Sequence, residues 1–495
     1  MRLGIDFGTS FSLPATSYLD SNIILLPGGK YGIPSVFYYD EWEGVLVGEN
    51  AESAGQGAEA VNLKREIKLE LTSSFTADGR NFTARQIVGY ILGHVKETAL
   101  MTAESKLIQE PLEGVVISVP AAFEHNEKEI IREAAGIPSS QGGPELNVLG
   151  FIKEPVAAAL TYFQTSLADR TRILVYDLGG GTCDVAIVEA DSSCREKYRV
   201  IDSDMIRTGG KDWDVKIEEY IIRELKNQYA VTVRDNPGYR EKIKREAINV
   251  KHAFSEKIAN SYREKVRARI EVNGKTYVIP LTRILFDELT RDRLNETIEL
   301  TKTLLKRNTD SVISEIVCVG GSSNMPQVQD GLRNAFPTCT VTVFEPEKAI
   351  AVGAAIYAQF CDGEDTFLSD IASFSYGAEC CRDYDVDPND MIIVNLIKKG
   401  DRLPVTREHR FRTVRDGQRR VLFSIFESSN VMDQYDHNNN SWDEPIMQVV
   451  LEILPDMPKG TNVTLHITLT TDGIIEVVAD DEKGHTIKAQ KQLNY

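Results

Sequence analysis

Two short segments of this sequence follow one pattern, and that pattern constrains the fold more than any other feature. Each is an apolar strand that ends at an aspartate and continues into glycine and hydroxyl residues, LGIDFGTS at 3–10 and ILVYDLGGGT at 173–182. Because another apolar stretch follows in both cases, we predict two β-hairpins whose tips present backbone N–H groups, hydroxyls and a carboxylate. These groups suit a phosphate and its Mg²⁺. The matching pair favours two homologous lobes that close on one nucleotide over two unrelated glycine-rich turns.

Two further glycine pairs lie where a nucleotide could also be contacted. Residues 320–321 come after the apolar strand 316–319 and precede a helix that we expect after Pro326. Residues 209–210 precede a second expected helix. The charged segment 239–257 is predicted to be a helix, and a solvated face is the ordinary interpretation of its charges.

After about residue 363 the helical periodicity gives way to strand alternation. Apolar and polar residues alternate along 463–469 and 475–479, on either side of the turn Asp472-Gly473, which is typical of a β-hairpin. The acidic, glycine-containing segment 362–365 has the composition of a linker. We therefore divide the chain into a nucleotide-binding domain (1–362), an interdomain linker (363–371) and an antiparallel β domain (372–495).

Charge and cysteine content limit the partners and the compartment. The 495 residues carry 56 Lys and Arg against 74 Asp and Glu, a net charge of −18, which argues against a nucleic acid or an anionic membrane as primary partner. Asp6 interrupts the apolar run that a secretory signal needs. The seven cysteines are odd in number and irregularly spaced, as expected of reduced thiols. We therefore expect a cytoplasmic protein.

Seven segments, in order along the chain, resemble the motifs of the DnaK-type heat shock protein 70 chaperones, within the actin and sugar-kinase ATPase superfamily. They are GIDFGTS (4–10), LKREIK (63–68), VVISVPAAF (115–123), IKEPVAAAL (152–160), DLGGGTCD (177–184), VCVGGSSNMP (317–326) and AVGAAIYA (351–358). The resemblance implies an α/β actin-like ATPase with two ribonuclease H-like lobes, followed by an all-β substrate-binding sandwich. Lobe I would comprise about 1–168 and 346–362, and lobe II about 169–345.

The resemblance also implies roles for individual residues. Lys64 matches the lysine that contacts the γ-phosphate and the attacking water. Asp6 and Asp177 match carboxylates that hold Mg²⁺ through bound water, and K⁺ is a candidate second cation. The implied catalytic set is Lys64, Glu154, Asp177 and Thr182, with Asp184 as a further carboxylate. The implied contacts to ATP or ADP are Gly8, Thr9, Ser10, Gly179, Gly180, Gly181, Gly209, Gly210, Lys251, Ser255, Gly320, Gly321, Ser322 and Glu347.

The C-terminal part matches the family with departures. The family's peptide pocket maps onto Phe411, Val414, Val421 and Phe423, for which core packing is the alternative interpretation. The linker keeps only Phe367 and Leu368 as apolar anchors. The sequence ends where the family's helical lid would begin. We therefore expect a lidless chaperone with weak coupling between its domains.

The leading hypothesis is an ATP-dependent chaperone that binds unfolded or extended apolar peptide segments. A nucleotide-dependent scaffold whose β domain serves one dedicated partner is the alternative, and a small-molecule kinase is the third possibility. A nucleotide-exchange factor is a candidate partner. The face on which the family docks a J-domain partner carries Gly150, Lys153 and Val156 instead of the family's residues, which argues against that partner.

Overall fold

The computed structural model describes the chain from residue 1 to 495 with short gaps. The gaps are 20, 29–30, 124, 166–169, 194–196, 234–235, 259–260, 310–311, 362–367, 384, 386, 438–443, 453–457, 471–474, 482–483, 485 and 492–495. Phe367 and the predicted turn Asp472-Gly473 therefore lie outside the described residues. The chain divides into two compact units. The first comprises Met1–Ala121, Ile130–Tyr198 and Ser203–Asp365, and the second comprises Ala122–Glu129, Arg199–Asp202 and Thr366–Tyr495.

Among the described residues, the α-helices all lie before residue 360. The α-helices are α1 (Glu49–Ala54), α2 (Ala84–Ser105), α3 (His125–Ala135), α4 (Glu154–Phe163), α5 (Gly210–Tyr229), α6 (Pro237–Ser255), α7 (Arg283–Arg307), α8 (Pro326–Ala335) and α9 (Ala349–Ala358). Short 3₁₀ helices cover Gly57–Asn62, Ile67–Leu69, Ser139–Gln141 and Gly321–Asn324. The helices predicted after Pro326, after Gly209-Gly210 and over 239–257 are present as α8, α5 and α6. None of the described helices is both long and apolar enough to cross a membrane.

Strands occur throughout the chain. Before residue 345 they are β1 (Arg2–Phe7), β2 (Phe11–Tyr18), β3 (Ser21–Ile24), β4 (Ile33–Pro34), β5 (Phe37–Asp40), β6 (Gly44–Val47), β7 (Leu63–Lys64), β8 (Ser74–Ala77), β9 (Arg80–Thr83), β10 (Gly114–Val119), β11 (Val148–Lys153), β12 (Arg170–Leu178), β13 (Cys183–Asp191), β14 (Tyr198–Ile206), β15 (Lys257–Ile258), β16 (Ser261–Tyr262), β17 (Lys265–Val272), β18 (Lys275–Thr282), β19 (Glu315–Val319) and β20 (Thr340–Val343). After residue 367 they are β21 (Leu368–Ser369), β22 (Ser375–Asp383), β23 (Asp387–Ile397), β24 (Val405–Arg412), β25 (Arg420–Ser428), β26 (Gln434–Asp436), β27 (Met447–Glu452), β28 (Asn462–Leu469), β29 (Ile475–Asp481) and β30 (Thr486–Lys491).

Two mixed sheets of the first unit share one topology. In one, the strand order is β11-β10-β1-β2-β3, with β1 antiparallel to β2 and parallel to β10. In the other, the order β20-β19-β12-β13-β14 repeats it, with β12 antiparallel to β13 and parallel to β19. The parallel strand β10 is buried along its whole length, as is typical of parallel strands in sheets covered by helices. The two predicted hairpins are thus the equivalent strands β1–β2 and β12–β13 of two similar sheets.

The second unit is rich in strands after residue 367. One sheet has the order β26-β23-β22-β25-β27, and the other has the order β24-β28-β29-β30. Strands β28 and β29 pair as the alternation predicted, with Leu469 opposite Ile475. Their inward-facing residues share one hydrophobic core with residues of β22, β25 and β27, including Phe423 and Ile425. The alternation of buried and half-buried residues along β28 and β29 follows from the period of two in a strand with one face in the core.

Candidate functional site

The tips of the two hairpins lie against each other in the first unit. A Cβ added to Gly180 would lie 2.5 Å from the Ser10 hydroxyl oxygen, and one added to Gly181 would lie 3.0 Å from that of Thr9. Only glycine permits so close an approach. Inside the second tip, the Gly179 N–H donates to the Thr182 carbonyl at 3.0 Å. The tips therefore bring the backbone and hydroxyl groups predicted to bind phosphate into one place.

Carboxylates collect beside these tips. Asp177 near the end of β12 lies opposite Asp184 in the register of the hairpin. Asp6 near the end of β1 is half-buried and accepts a hydrogen bond from the Ser118 hydroxyl at 2.8 Å. Glu154 is the first residue of α4, where the partial positive charge of a helix N-terminus favours a carboxylate.

One buried lysine, Lys68, balances part of this negative charge. Its side chain is only 3% exposed, and its Nζ donates a short hydrogen bond to Glu154 Oε1. The same Nζ lies 5.8 Å from the centre of the Phe7 ring, within the range of a cation–π contact. Burial alone would lower the pKa of Lys68, but the charges of Glu154, Asp6 and Asp184 outweigh it and raise the pKa. Lys68 is therefore a fixed cation among the carboxylates.

Lys64, which is predicted to contact the γ-phosphate, lies outside the group of side chains around Lys68. Its Nζ pairs with the exposed Glu70 carboxylate at 2.5 Å instead of reaching the carboxylate cluster. Strand β7 ends at Lys64, and Glu66 then adopts a left-handed backbone conformation with φ +61° before the 3₁₀ turn that carries Lys68. After this change of chain direction, Lys68, four positions later in the same motif, lies beside Glu154.

The carboxylates repel one another in their buried setting. Burial, and then the charge of Glu154, raises the pKa of Asp6 to about 6 against the opposing effect of Lys68. Burial and Glu154 also raise the pKa of Asp184 to about 7, although it accepts hydrogen bonds from the Ala121 N–H and from Thr182. Burial raises the pKa of Asp177 well above its ordinary value, and Glu154, Asp184 and Asp6 add to the effect. The site holds more negative charge than Lys68 can balance.

This charge imbalance fits a hydrated Mg²⁺. Asp177 Oδ1 and Asp184 Oδ2 are buried and accept no hydrogen bond from the described residues. Across the described part of the chain, no three His, Cys, Asp or Glu side chains are grouped closely enough to bind a metal directly. Mg²⁺ usually keeps several of its water ligands, so carboxylates that reach it through water suit it. The donor set thus agrees with the water-mediated role predicted for Asp6 and Asp177.

Several of the residues predicted to contact ATP or ADP lie beside the second tip. A Cβ on Gly209 would lie 2.5 Å from the Gly181 nitrogen, and one on Gly210 would lie 2.2 Å from the Ser322 hydroxyl oxygen and 3.1 Å from Lys251 Nζ. Gly320 has φ +78°, and a Cβ there would lie 2.3 Å from Asp177 Oδ1. These glycines allow three chain segments, 177–181, 209–210 and 320–322, to lie in contact.

Lys251 and Ser255, which are also predicted to contact ATP or ADP, already have protein partners. Lys251 Nζ donates to Asp214 at 2.6 Å and to the Gly210 carbonyl at 2.9 Å. Ser255 donates to the Lys251 carbonyl at 2.9 Å. Gly321 is exposed, and Glu347 is half-buried just before α9 with no described bond to the other members of the set. Lys251 therefore positions the segment around Gly210.

The four residues predicted to bind peptide lie in the second unit. Phe423 is buried in the shared core, and its ring centre lies 5.4 Å from that of the partly buried Phe411. Val421 is partly buried against the same core. Val414 lies in the loop after β24, where its N–H donates to Gln418 Oε1 at 3.0 Å. Phe411, Val414 and Val421 thus keep partly exposed apolar surface, whereas Phe423 serves mainly as their support.

Comparison with protein families gives one match over most of the chain. The sequence model described as Hsp70 protein matches residues 58–494. The matched region contains Lys68, Glu154, Asp177 and Asp184 and extends through the second unit.

Proposed function

Because the chain belongs to the Hsp70 family, we propose that it hydrolyses ATP to ADP and that the bound nucleotide regulates the binding of extended apolar peptides. The observation that carries the proposal is the buried Lys68–Glu154 pair beside Asp6, Asp177 and Asp184. A fixed cation and a set of carboxylates are what cleavage of a phosphate anhydride needs, because charge must be neutralised and a water aligned. The repeated sheet topology supports the actin-like, two-lobed arrangement.

In the proposed mechanism, the chain's own groups are fixed before ATP binds. Backbone N–H groups and hydroxyls at the two tips contact the phosphates, and Lys68 Nζ provides positive charge where negative charge develops on the γ-phosphate. Glu154, held by Lys68, orients the attacking water and accepts its proton. Asp6 and Asp177 would hold a hydrated Mg²⁺ through its water ligands, and the bound cation would neutralise phosphate charge.

The second unit supplies the peptide-binding part of the proposal. Its two sheets share one core, which supports the predicted sandwich. The partly exposed Phe411, Val414 and Val421 would contact apolar side chains of a peptide in an extended conformation. A nucleotide-exchange factor as partner and a cytoplasmic location stay parts of the proposal.

Phosphate release by the purified chain tests the proposal. We expect Mg²⁺-dependent conversion of ATP to ADP and phosphate that does not require an added acceptor. Activity that appears only with a hexose or glycerol, with transfer of the phosphate to it, would contradict hydrolysis and indicate a small-molecule kinase. No conversion under either condition would contradict both activities.

A further inference from the structure

The segment that carries the predicted peptide-binding residues is strongly basic in an acidic protein. Residues 407–420 contain six arginines against Glu408 and Asp416, a net charge of +4, whereas the whole chain carries −18. The arginines flank the apolar residues along the chain. Phe411 lies between Arg410 and Arg412, Val414 precedes Arg415, and Val421 follows Arg419 and Arg420.

Four of these arginines, Arg410, Arg412, Arg415 and Arg419, form what we call the arginine patch. All four are exposed, and within the described residues none of their guanidinium groups is hydrogen-bonded or ion-paired. The other two are engaged, because Arg407 lies 3.5 Å from Asp401 and Arg420 lies 3.1 Å from Glu452. The patch therefore presents positive charge that no described carboxylate balances.

The loop that carries half of the patch is held in place. The Thr413 N–H donates to the Thr461 carbonyl at 2.9 Å, and the Gly460 N–H donates to the Thr413 carbonyl at 2.9 Å. The Asp416 carboxylate accepts the Lys459 N–H at 2.7 Å. Arg415 and Arg419 thus project from an anchored loop beside Val414, which lowers the entropy lost when a ligand binds.

Protection of a sheet edge explains only part of the arrangement. Strand β24 has one neighbour, β28, among the described strands, and charged side chains on such an edge prevent unwanted strand pairing. That reason applies to Arg410 and Arg412. It does not apply to Arg415 and Arg419, which lie in the loop after β24.

From this arrangement we infer that the second unit selects extended peptides in which acidic residues flank an apolar stretch. The inference rests on the proposed function and names the substrate class of the same surface. A peptide whose apolar side chains contact Phe411, Val414 and Val421 brings its flanking residues to the arginine patch. Carboxylates there would gain ion pairs and lysines would be repelled. One exposed charge pair strengthens binding by up to about fivefold, so two or three pairs give roughly tenfold or more.

The experiment uses the full chain with ADP and three fluorescein-labelled peptides that share one leucine- and valine-rich core. The flanks are three glutamates, three glutamines or three lysines on each side, and affinity is measured by fluorescence anisotropy at low and high salt. We expect the glutamate peptide to bind about tenfold more tightly than the glutamine peptide, and the lysine peptide to bind most weakly. High salt should reduce these differences, because it screens exposed charges.

Two double variants locate the preference. In R410Q/R412Q and in R415Q/R419Q, the affinities of the three peptides should converge. R267Q/R269Q is the matched control, because these arginines are also exposed and two positions apart on an antiparallel strand, β17 in the first unit. The control should keep the full preference for acidic flanks.

Several results would overturn the inference. Equal affinity for all three peptides would agree with peptide binding but would contradict the preference for acidic flanks. Patch variants that keep the preference would place its origin elsewhere. Equally tight, patch-dependent binding of a single-stranded oligonucleotide would show that the patch binds phosphate in general. Failure of all three peptides to bind would contradict the proposed function and the inference together.

Discussion

At the scale of single residues, the proposed ATP hydrolysis depends on which lysine lies among the carboxylates. Both Lys64 and Lys68 belong to the segment LKREIK, and sequence alone cannot decide between them because either fits a basic residue beside a phosphate site. The two lysines differ in position because the backbone at Glu66, which has a positive φ, changes direction between Lys64 and Lys68. Burial then separates them, since Lys68 is 3% exposed and pairs with buried Glu154 whereas Lys64 pairs with exposed Glu70.

Substitution of the two lysines provides a matched test. Lys68→Ala should lower the rate of ATP hydrolysis by at least about a hundredfold, because a fixed charge in a buried site contributes that much to the transition state. Lys64→Ala should change the rate by less than about threefold, since a pair with an exposed partner contributes little. Steady-state phosphate release measures both, and ADP titration verifies that nucleotide still binds. The reverse order of the two effects would assign the γ-phosphate contact to Lys64 and contradict the role proposed for Lys68.

The carboxylates of the two tips should act on the same Mg²⁺. Asp6→Asn and Asp177→Asn should each raise the Mg²⁺ concentration needed for half-maximal hydrolysis, because each variant loses a negative charge near the hydrated cation. Asp330→Asn serves as control, since Asp330 is exposed and pairs with Arg333 at 3.3 Å. If only one of the two tip variants shifts the Mg²⁺ titration, the equivalence of the two hairpins in metal binding is wrong.

At the scale of elements, the sequence was most informative where a pattern repeats or alternates. The paired hairpin motifs and the alternation around 463–479 lie on strands that pair as expected. The packing of α4 against α9 was not predictable. Both helices are rich in small residues, and such a composition does not indicate which face of one helix contacts the backbone of the other. There, a Cβ on Gly353 would lie 1.8 Å from the Ala157 carbonyl oxygen.

Gly353→Ala should therefore destabilise the first unit. A glycine-to-alanine change inside a helix alone gains up to about 1 kcal/mol. Here the added methyl group meets backbone, so α4 and α9 must move apart, and overpacking costs about 1–3 kcal/mol or more. Gly28→Ala is the control, because no heavy atom lies within 4 Å of its added Cβ. Thermal unfolding of both variants measures the difference, and an unchanged midpoint for Gly353→Ala would contradict the close packing.

Helix α5 contains a carboxyl group whose ionisation should make stability depend on pH. Burial raises the pKa of Glu218 from 4.5 to about 7; nearby Asp214 adds to the rise, and Lys244 opposes it. The folded chain thus keeps a proton that the unfolded chain loses, and the stabilisation present below about pH 4.5 disappears as the pH rises through 7.

Glu218→Gln imitates the protonated group. Its unfolding midpoint should rise relative to that of the parent protein as the pH increases from 5 to 8, in a series of thermal scans. Glu219→Gln, at the exposed neighbouring position, should show no such trend. A constant difference across the series would contradict the raised pKa of Glu218.

For the whole molecule, we propose that one chain combines ATP hydrolysis with peptide binding. The charge cluster of the first unit fits ATP hydrolysis, and the apolar residues and arginines of the second unit fit peptide binding. The order of these parts was predictable, because seven segments of the chain occur in the same order as the motifs of the family. The strength of their coupling was not, because it depends on the free-energy difference between nucleotide states and not on residue identity alone.

The most direct test of nucleotide-regulated peptide binding is the rate at which a labelled peptide leaves the intact chain in saturating ATP and in saturating ADP. We predict faster release in ATP, by less than about a hundredfold, because the linker keeps only Phe367 and Leu368 as apolar anchors and we expect coupling at the weak end of the usual range. Equal release rates in ATP and ADP would contradict the central claim.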